Sequence, residues 1–212
     1  MIKKYLLEEY KDYLEEMMNI GSGNAATALE QILAHRFDMS KPSIHVLPTT
    51  KASSIIGDPA MPVTCAKMHM VGDIRGDMFF IVPFDQTKQL VALAQTSIDR
   101  KMKKADTQDY SVIPEIGNIM AGVYLAAIHD FCNLNIYHTV PVLAKDMVQA
   151  ILDETIAGVS QTDKIIIVIA NQYLTSPEDK TPMETFFLMI PSSDSIKTLM
   201  DSIKEAKKLY GA

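Results

Sequence analysis

The sequence predicts an α+β fold in which two α-β-α-β-β-α halves, about 1–100 and 106–212, share one β-sheet flanked by two long helices. Three observations lead there. A polar pattern recurs 99 residues apart, first as Asp12, Glu16, Asn19 and Pro42, then as Ser111, Glu115, Asn118 and Pro141. Helical and strand-like apolar spacings follow one another in the same order on both sides of the polar run 99–109. The apolar segment Met78 to Pro83 has a counterpart in Phe186 to Pro191. Neither half has enough elements to close its own sheet edges, so residues 1–212 read as a single domain with a pseudo-two-fold repeat.

The first helix is expected from near Ile2 to Phe37, because Tyr10, Leu14, Met17, Gly21, Ala25, Ala28 and Ile32 recur at helical spacing. Pro42 stands a few residues past its end. A strand at 44–47, a short helix at 52–56 and a long strand at 63–71 follow. The turn 72–76 leads to a buried strand at 78–82 and a helix at 86–98. The run 99–109 is a solvated connector. A second long helix covers 111–132, with Ser111 at its N-cap and Pro114 in the first turn, where a missing N–H costs nothing. Then come a strand at 136–143, a short helix at 146–156, strands at 164–170 and 185–190, and a closing helix at 195–210. The repeat pairs Gly57 with Gly158 and Val63 with Lys164, its offset drifting from 99 to 101 to 108 as loop insertions accumulate.

Composition bounds the function. The net charge of -6 and the pI near 5.3 lack the basic footprint of a nucleic-acid partner. Two cysteines far apart, Cys65 and Cys132, read as buried thiols in a reducing cytoplasm. Acidic residues follow the N-terminal lysines at once, so no signal sequence is expected. No membrane insertion is expected either, since no apolar run approaches a membrane span; the purest is 165–170.

On a helical wheel Asp12, Glu16, Asn19 and Gly23 fall within an arc of about 60°, opposite the apolar face. Ser111, Glu115, Asn118 and Gly122 repeat this, opposite Ile116, Met120, Val123, Tyr124 and Ala127. A single such set is what any solvated helix face carries. Two sets with identical spacing, each with a glycine four residues past the asparagine, are not. Glycine inside a helix costs about 1 kcal/mol against alanine, and no core packing repays that on an outer face. A flat spot there lets another protein's backbone come close.

Glu and Asn three residues apart offer an anion and an amide, with no nucleophile. The five histidines are scattered, so neither a metal site nor a Ser-His-Asp set is expected. An exposed amide can orient a water for in-line attack on a phosphoryl group. The carboxylate beside it can pair with a partner's lysine. A convex face has no pocket of its own, so the partner must bring one, as a phosphoprotein with its own Mg²⁺ does.

With these residues, with Asn19-Ile-Gly-Ser-Gly and Glu115-Ile-Gly-Asn-Ile, and with both prolines in place, the chain resembles the CheC / CheX / FliY phosphatases of bacterial and archaeal chemotaxis over nearly its whole length. The resemblance implies hydrolysis of the aspartyl phosphate on a CheY-type response regulator. Glu16 and Glu115 would then bridge to the regulator's active-site lysine, and Asn19 and Asn118 would position the attacking water. Asp12, Ser111, Gly23 and Gly122 would support, and Pro42 and Pro141 would shape the loops after the helices. The chain would need no cofactor of its own, the regulator supplying Mg²⁺. The deamidase CheD is a second partner the resemblance implies. The alternative is a non-catalytic module, either a CheD-binding scaffold or one like the related flagellar switch domain, which shares the fold but lacks the Glu/Asn pairs.

Overall fold

The structure, a computed structural model, describes residues 11–98, 110–160, 165–175 and 182–210. The expected helix start near Ile2, the connector 99–109 and Lys164 lie outside the described residues. In chain order the elements are α1 (Lys11–Leu33), β1 (Phe37–Met39), β2 (Ser43–Pro48), a 3-10 helix (Thr49–Ile56), β3 (Pro62–Gly72), β4 (Gly76–Pro83) and α2 (Phe84–Ile98). The second half continues with α3 (Val112–Cys132), β5 (Ile136–His138), β6 (Val142–Met147), α4 (Val148–Ser160), β7 (Ile165–Thr175), β8 (Glu184–Pro191) and α5 (Ser193–Tyr210).

The eight strands of the described residues form one sheet, in the order β1-β7-β8-β4-β3-β5, with β2 also on β7 and β6 also on β3. Every pairing is antiparallel. The halves exchange strands. β1 and β2 of the first half pair with β7 of the second, and β5 and β6 of the second pair with β3 of the first. The registers obey a two-fold rotation whose axis passes between β4 and β8. There Phe79 faces Leu188 and Phe80 faces Phe187. Pro48 opposite Ile165 is matched by Met147 opposite Pro62, and Phe37 opposite Thr175 by Ile136 opposite Gly72. β3 therefore corresponds to β7 at an offset of 103, and the expected match of Val63 with Lys164 is corrected by two residues.

Both faces of the sheet are covered, which is why its central strands read as unbroken apolar runs. Ala66, Met68, Phe80, Val82, Ile167, Ile169 and Phe187 face the layer of α1, α2, α3 and α5. Cys65, Phe79, Ile81, Val168 and Leu188 face the smaller layer of the 3-10 helix and α4. The two long helices pack on each other as well as on the sheet. A Cβ at Gly21 would stand 3.3 Å from the Tyr124 ring, and one at Gly117 would stand 2.8 Å from the Ala66 Cβ. These two glycines let α1, α3 and the sheet close together.

Several expectations are corrected. α1 stops at Leu33, not Phe37, because Ala34 takes a left-handed φ of 45° and releases Phe37 to bury in β1. Asn133 ends α3 the same way, with φ 53° and its N–H donating to the His129 carbonyl at 2.7 Å. The single strand expected at 136–143 is two strands. Thr139 still donates its N–H to the His69 carbonyl at 2.9 Å, but the register on β3 then slips by one residue, from Met70 opposite His138 to Lys67 opposite Val142, across Pro141, which has no N–H to offer. Each half thus gains a short strand, β1 or β5. Gly57 and Gly158 are not equivalent, since Gly57 ends the 3-10 helix at φ 113° while Gly158 lies inside α4. Finally, α3 is long and apolar enough by composition to cross a membrane. Its apolar character is used in the core, with ten buried residues from Ile113 to Cys132.

Candidate functional site

α1 is held by one face. Leu14, Met17, Met18, Ala25, Leu29 and Leu33 are buried against α3 and the sheet. This leaves Asp12 and Glu16 exposed, with Asn19 and Gly23 half-buried on the same side. α3 repeats the arrangement: Ile113, Ile116, Met120, Tyr124 and Ile128 are buried, Ser111, Glu115 and Gly122 are exposed, and Asn118 is half-buried. Each face therefore aligns an exposed carboxylate, an amide set slightly lower, and a glycine. A Cβ at Gly23 would meet nothing within 4 Å, and one at Gly122 would meet only His138 Nε2, at 3.8 Å. The surface over both glycines is open.

The side chains of Glu16, Asn19, Glu115 and Asn118 make no hydrogen bond or ion pair among the described residues. Their donors and acceptors are available to a partner. Ser111 stands at the N-cap of α3 but does not cap it. Its backbone is helical, at φ -60° and ψ -22°, and its side chain makes no capping bond. The two prolines differ in depth, Pro42 being buried and Pro141 half-buried.

The structure adds a residue that sequence reasoning missed. Lys41, next to Pro42, donates from Nζ to Glu15 Oε2 at 2.6 Å. Its pKa is raised by that bond and by the Glu15 charge, with a smaller contribution from Asp12. The loop after β1 is thereby drawn to the first turns of α1. The signal was a cation at a fixed place in the repeat, where the second half has Val140. A buried polar seat under both helices was also missed. Ser22 Oγ donates to Asn171 Oδ1 at 2.5 Å, and Tyr124 Oη donates to Met18 Sδ at 2.8 Å. Burial pushes the Tyr124 phenol up to about 12, against the opposing effect of Asn171 and Ser22.

Other chemistries fit poorly. Both cysteines are buried, and desolvation holds their thiols protonated, Cys132 pushed up to about 12 and Cys65 higher still. On the opposite side of the sheet, His69 Nδ1 meets Asp77 Oδ1 at 2.5 Å, and Thr155 Oγ1 donates to Asp77 Oδ2. Here the carboxylate lies between hydroxyl and imidazole. A nucleophile relay needs the imidazole between the other two, so Thr155 is not activated. An amide, a carboxylate and a flat backbone, twice over, remain as the available tools.

Comparison with known proteins bears on the same residues. The model of the CheC-like family matches residues 10–46 and 110–144, the stretches that carry the two faces and their prolines. The CheY-P phosphatase CheC of Bacillus subtilis (strain 168) is 32% identical over 194 residues, covering 91% of this chain and 92% of that one. Among solved structures, FliY of Thermotoga maritima covers 97% of this chain and 100% of its own at a TM-score of 0.70 and 16% identity. The FliM middle domain from H. pylori covers 95% and 99% at a TM-score of 0.57 and 10% identity. At such identities the two structures show a common fold and nothing finer.

Proposed function

Because the chain belongs to the CheC-like family, we propose that it hydrolyses the aspartyl phosphate of a CheY-type response regulator in the cytoplasm, with one working face on α1 and another on α3. A single observation carries the reading. Two copies of a Glu and an Asn stand outward, without partners among the described residues, each beside a glycine that leaves open space.

The chemistry follows from what these groups can do. Glu16 or Glu115 pairs with the regulator's lysine and fixes the approach of the helix. Asn19 or Asn118 then enters the regulator's site and holds a water in line with the phosphoryl group. An amide oxygen can accept a hydrogen bond from the water and direct its lone pair, as the water-positioning glutamine of GTPases does. Mg²⁺ stays with the regulator and offsets the charge of the phosphoryl oxygens. The chain contributes positioning, and the acyl phosphate contributes the reactivity. Asp12 and Lys41 shape the first face, and Pro42 and Pro141 hold the loops that flank each helix.

Release of inorganic phosphate from phosphorylated regulator tests this. Asn19→Ala and Asn118→Ala are each expected to remove part of the rate. The double variant should fall to the regulator's own rate of decay while its circular dichroism and melting temperature stay unchanged. Wild-type turnover by the double variant refutes the assignment. Binding of regulator or of CheD without phosphate release by the wild-type protein supports the scaffold reading instead.

A further inference from the structure

α3 runs along one edge of the sheet, and its outer face is bracketed there by two strands. At one end, His138 of β5 stands 3.8 Å from the position of a Gly122 Cβ. At the other, Lys145 of β6 lays its Nζ 3.5 Å from the centre of the Tyr110 ring, and Tyr110 directly precedes Ser111. Lys145 sits opposite Thr64, which alternation along β3 places on the face that Ala66 and Met68 turn to the helices. β5 and β6 both pair with the same edge of β3, so Ser111, Glu115 and Asn118 lie between these two contacts.

At the first face the counterpart of Lys145 is Val46. The lysine found there, Lys41, comes from the loop after β1 and is ion-paired with Glu15 at 2.6 Å. Asp12, Glu15 and Glu16 set against Lys41 leave two negative charges in excess. In the second half Ser111, Pro114 and Glu115 take the first three places, and Glu115 set against Lys145 leaves none. An aromatic ring attracts an ammonium without neutralising it. Lys145 is exposed, so its charge is held in one place and still acts on what approaches α3.

A phosphorylated regulator brings the matching sign. Its phosphoryl group carries about two negative charges, and Mg²⁺ beside it is held by about one or two carboxylates. The ion offsets only part of this charge, and the regulator's lysine is already paired with Glu115. The rim that meets α3 therefore stays acidic. We propose that Lys145, held by Tyr110, is a docking residue of the second face that pairs with the acidic rim of the regulator's phosphorylation site. The proposal rests on the function proposed above. Lys145 adds a charge contact that Val46 cannot make at the first face, and it leaves the chemistry to Asn118.

Single-face proteins test this. Asn19→Ala leaves the second face working alone, and Asn118→Ala the first. Each is made with Lys145 intact, with Lys145→Met and with Lys145→Arg. Methionine keeps an unbranched apolar stem over Tyr110 and removes the charge; arginine restores the charge. Phosphate release is followed against regulator concentration at low ionic strength, and again in about 1 M salt, where charges act over about 3 Å. In the Asn19→Ala protein at low salt, Lys145→Met should raise KM roughly two- to fivefold with kcat unchanged, and Lys145→Arg should restore it. The rise should vanish in high salt. In the Asn118→Ala protein KM should not respond to either substitution. An unchanged KM in the first background overturns the proposal. So does an equal rise in both backgrounds, or a rise that survives high salt, either of which marks Lys145 as a structural residue. Wild-type turnover by the Asn19→Ala, Asn118→Ala protein is a separate failure. It removes the faces themselves, and the docking contact with them, whatever the salt dependence.

Discussion

Alanine at Gly23 and Gly122 sets stability against activity. Glycine in a helix interior costs about 1 kcal/mol relative to alanine, because the unfolded chain has more freedom to lose. The new methyl group meets no neighbour within 4 Å at Gly23 and only an ordinary contact at 3.8 Å at Gly122. No steric term opposes the gain, and the sites share no neighbour, so the two should add to about 2 kcal/mol. In a chain of this size about 1 kcal/mol moves the melting temperature by 2–4 °C, giving about 4–8 °C for the pair. If the glycines exist to admit a partner's backbone, the same methyl groups crowd that approach. Overpacking of a close contact costs about 1–3 kcal/mol, which lowers kcat/KM about 5- to 150-fold. Thermal unfolding by circular dichroism and phosphate release from phosphorylated regulator read the two effects separately. A protein that is more stable and fully active would falsify the flat-face argument. A protein that is less stable would show that the space over these glycines is not open.

Two further outcomes follow from the packing. Gly117→Ala places a Cβ 2.8 Å from that of Ala66, so α3 must lift from the sheet. Overpacking of about 1–3 kcal/mol outweighs the propensity gain of about 1 kcal/mol, and the urea midpoint should drop; a raised midpoint contradicts the close seating of α3. Burial also lifts the Cys132 thiol from 9.0 to about 12 and the Tyr124 phenol from 10.0 to about 12. The unfolded chain loses these protons first. The stabilising contribution is therefore complete below about pH 9 and is lost as pH rises toward about 12. A urea midpoint that holds constant from pH 8 to 11.5 rules this out.

Much of the architecture is legible because it rests on strong periodic signals. The faces of α1 and α3 follow from helical spacing over more than five turns, and Glu16, Asn19, Glu115 and Asn118 stand where the wheel puts them. The runs in β4 and β8 are apolar throughout because both sheet faces are covered. What stayed hidden depends on partners distant in sequence. Phe37–Met39 is too short to carry a propensity signal and is a strand because Tyr173–Thr175 lies beside it. Ser111 has the residue type of a cap, but the turn at Tyr110, whose carbonyl accepts from the Ile113 N–H at 3.0 Å, holds it helical. Lys41 reads as a surface cation until the fold brings it to Glu15.

The strand exchange between halves has a consequence for how the two faces can change. A two-fold axis between β4 and β8, with each half lending strands to the other, is the geometry of an isologous dimer. In a dimer of identical chains, every substitution appears twice, once on each side of the axis. Here the halves are one polypeptide, so each position mutates alone. Asp12 can face Ser111 across the axis, and Lys41 can face Val140, without either disturbing its counterpart. Being one polypeptide gives each face its own sequence to vary.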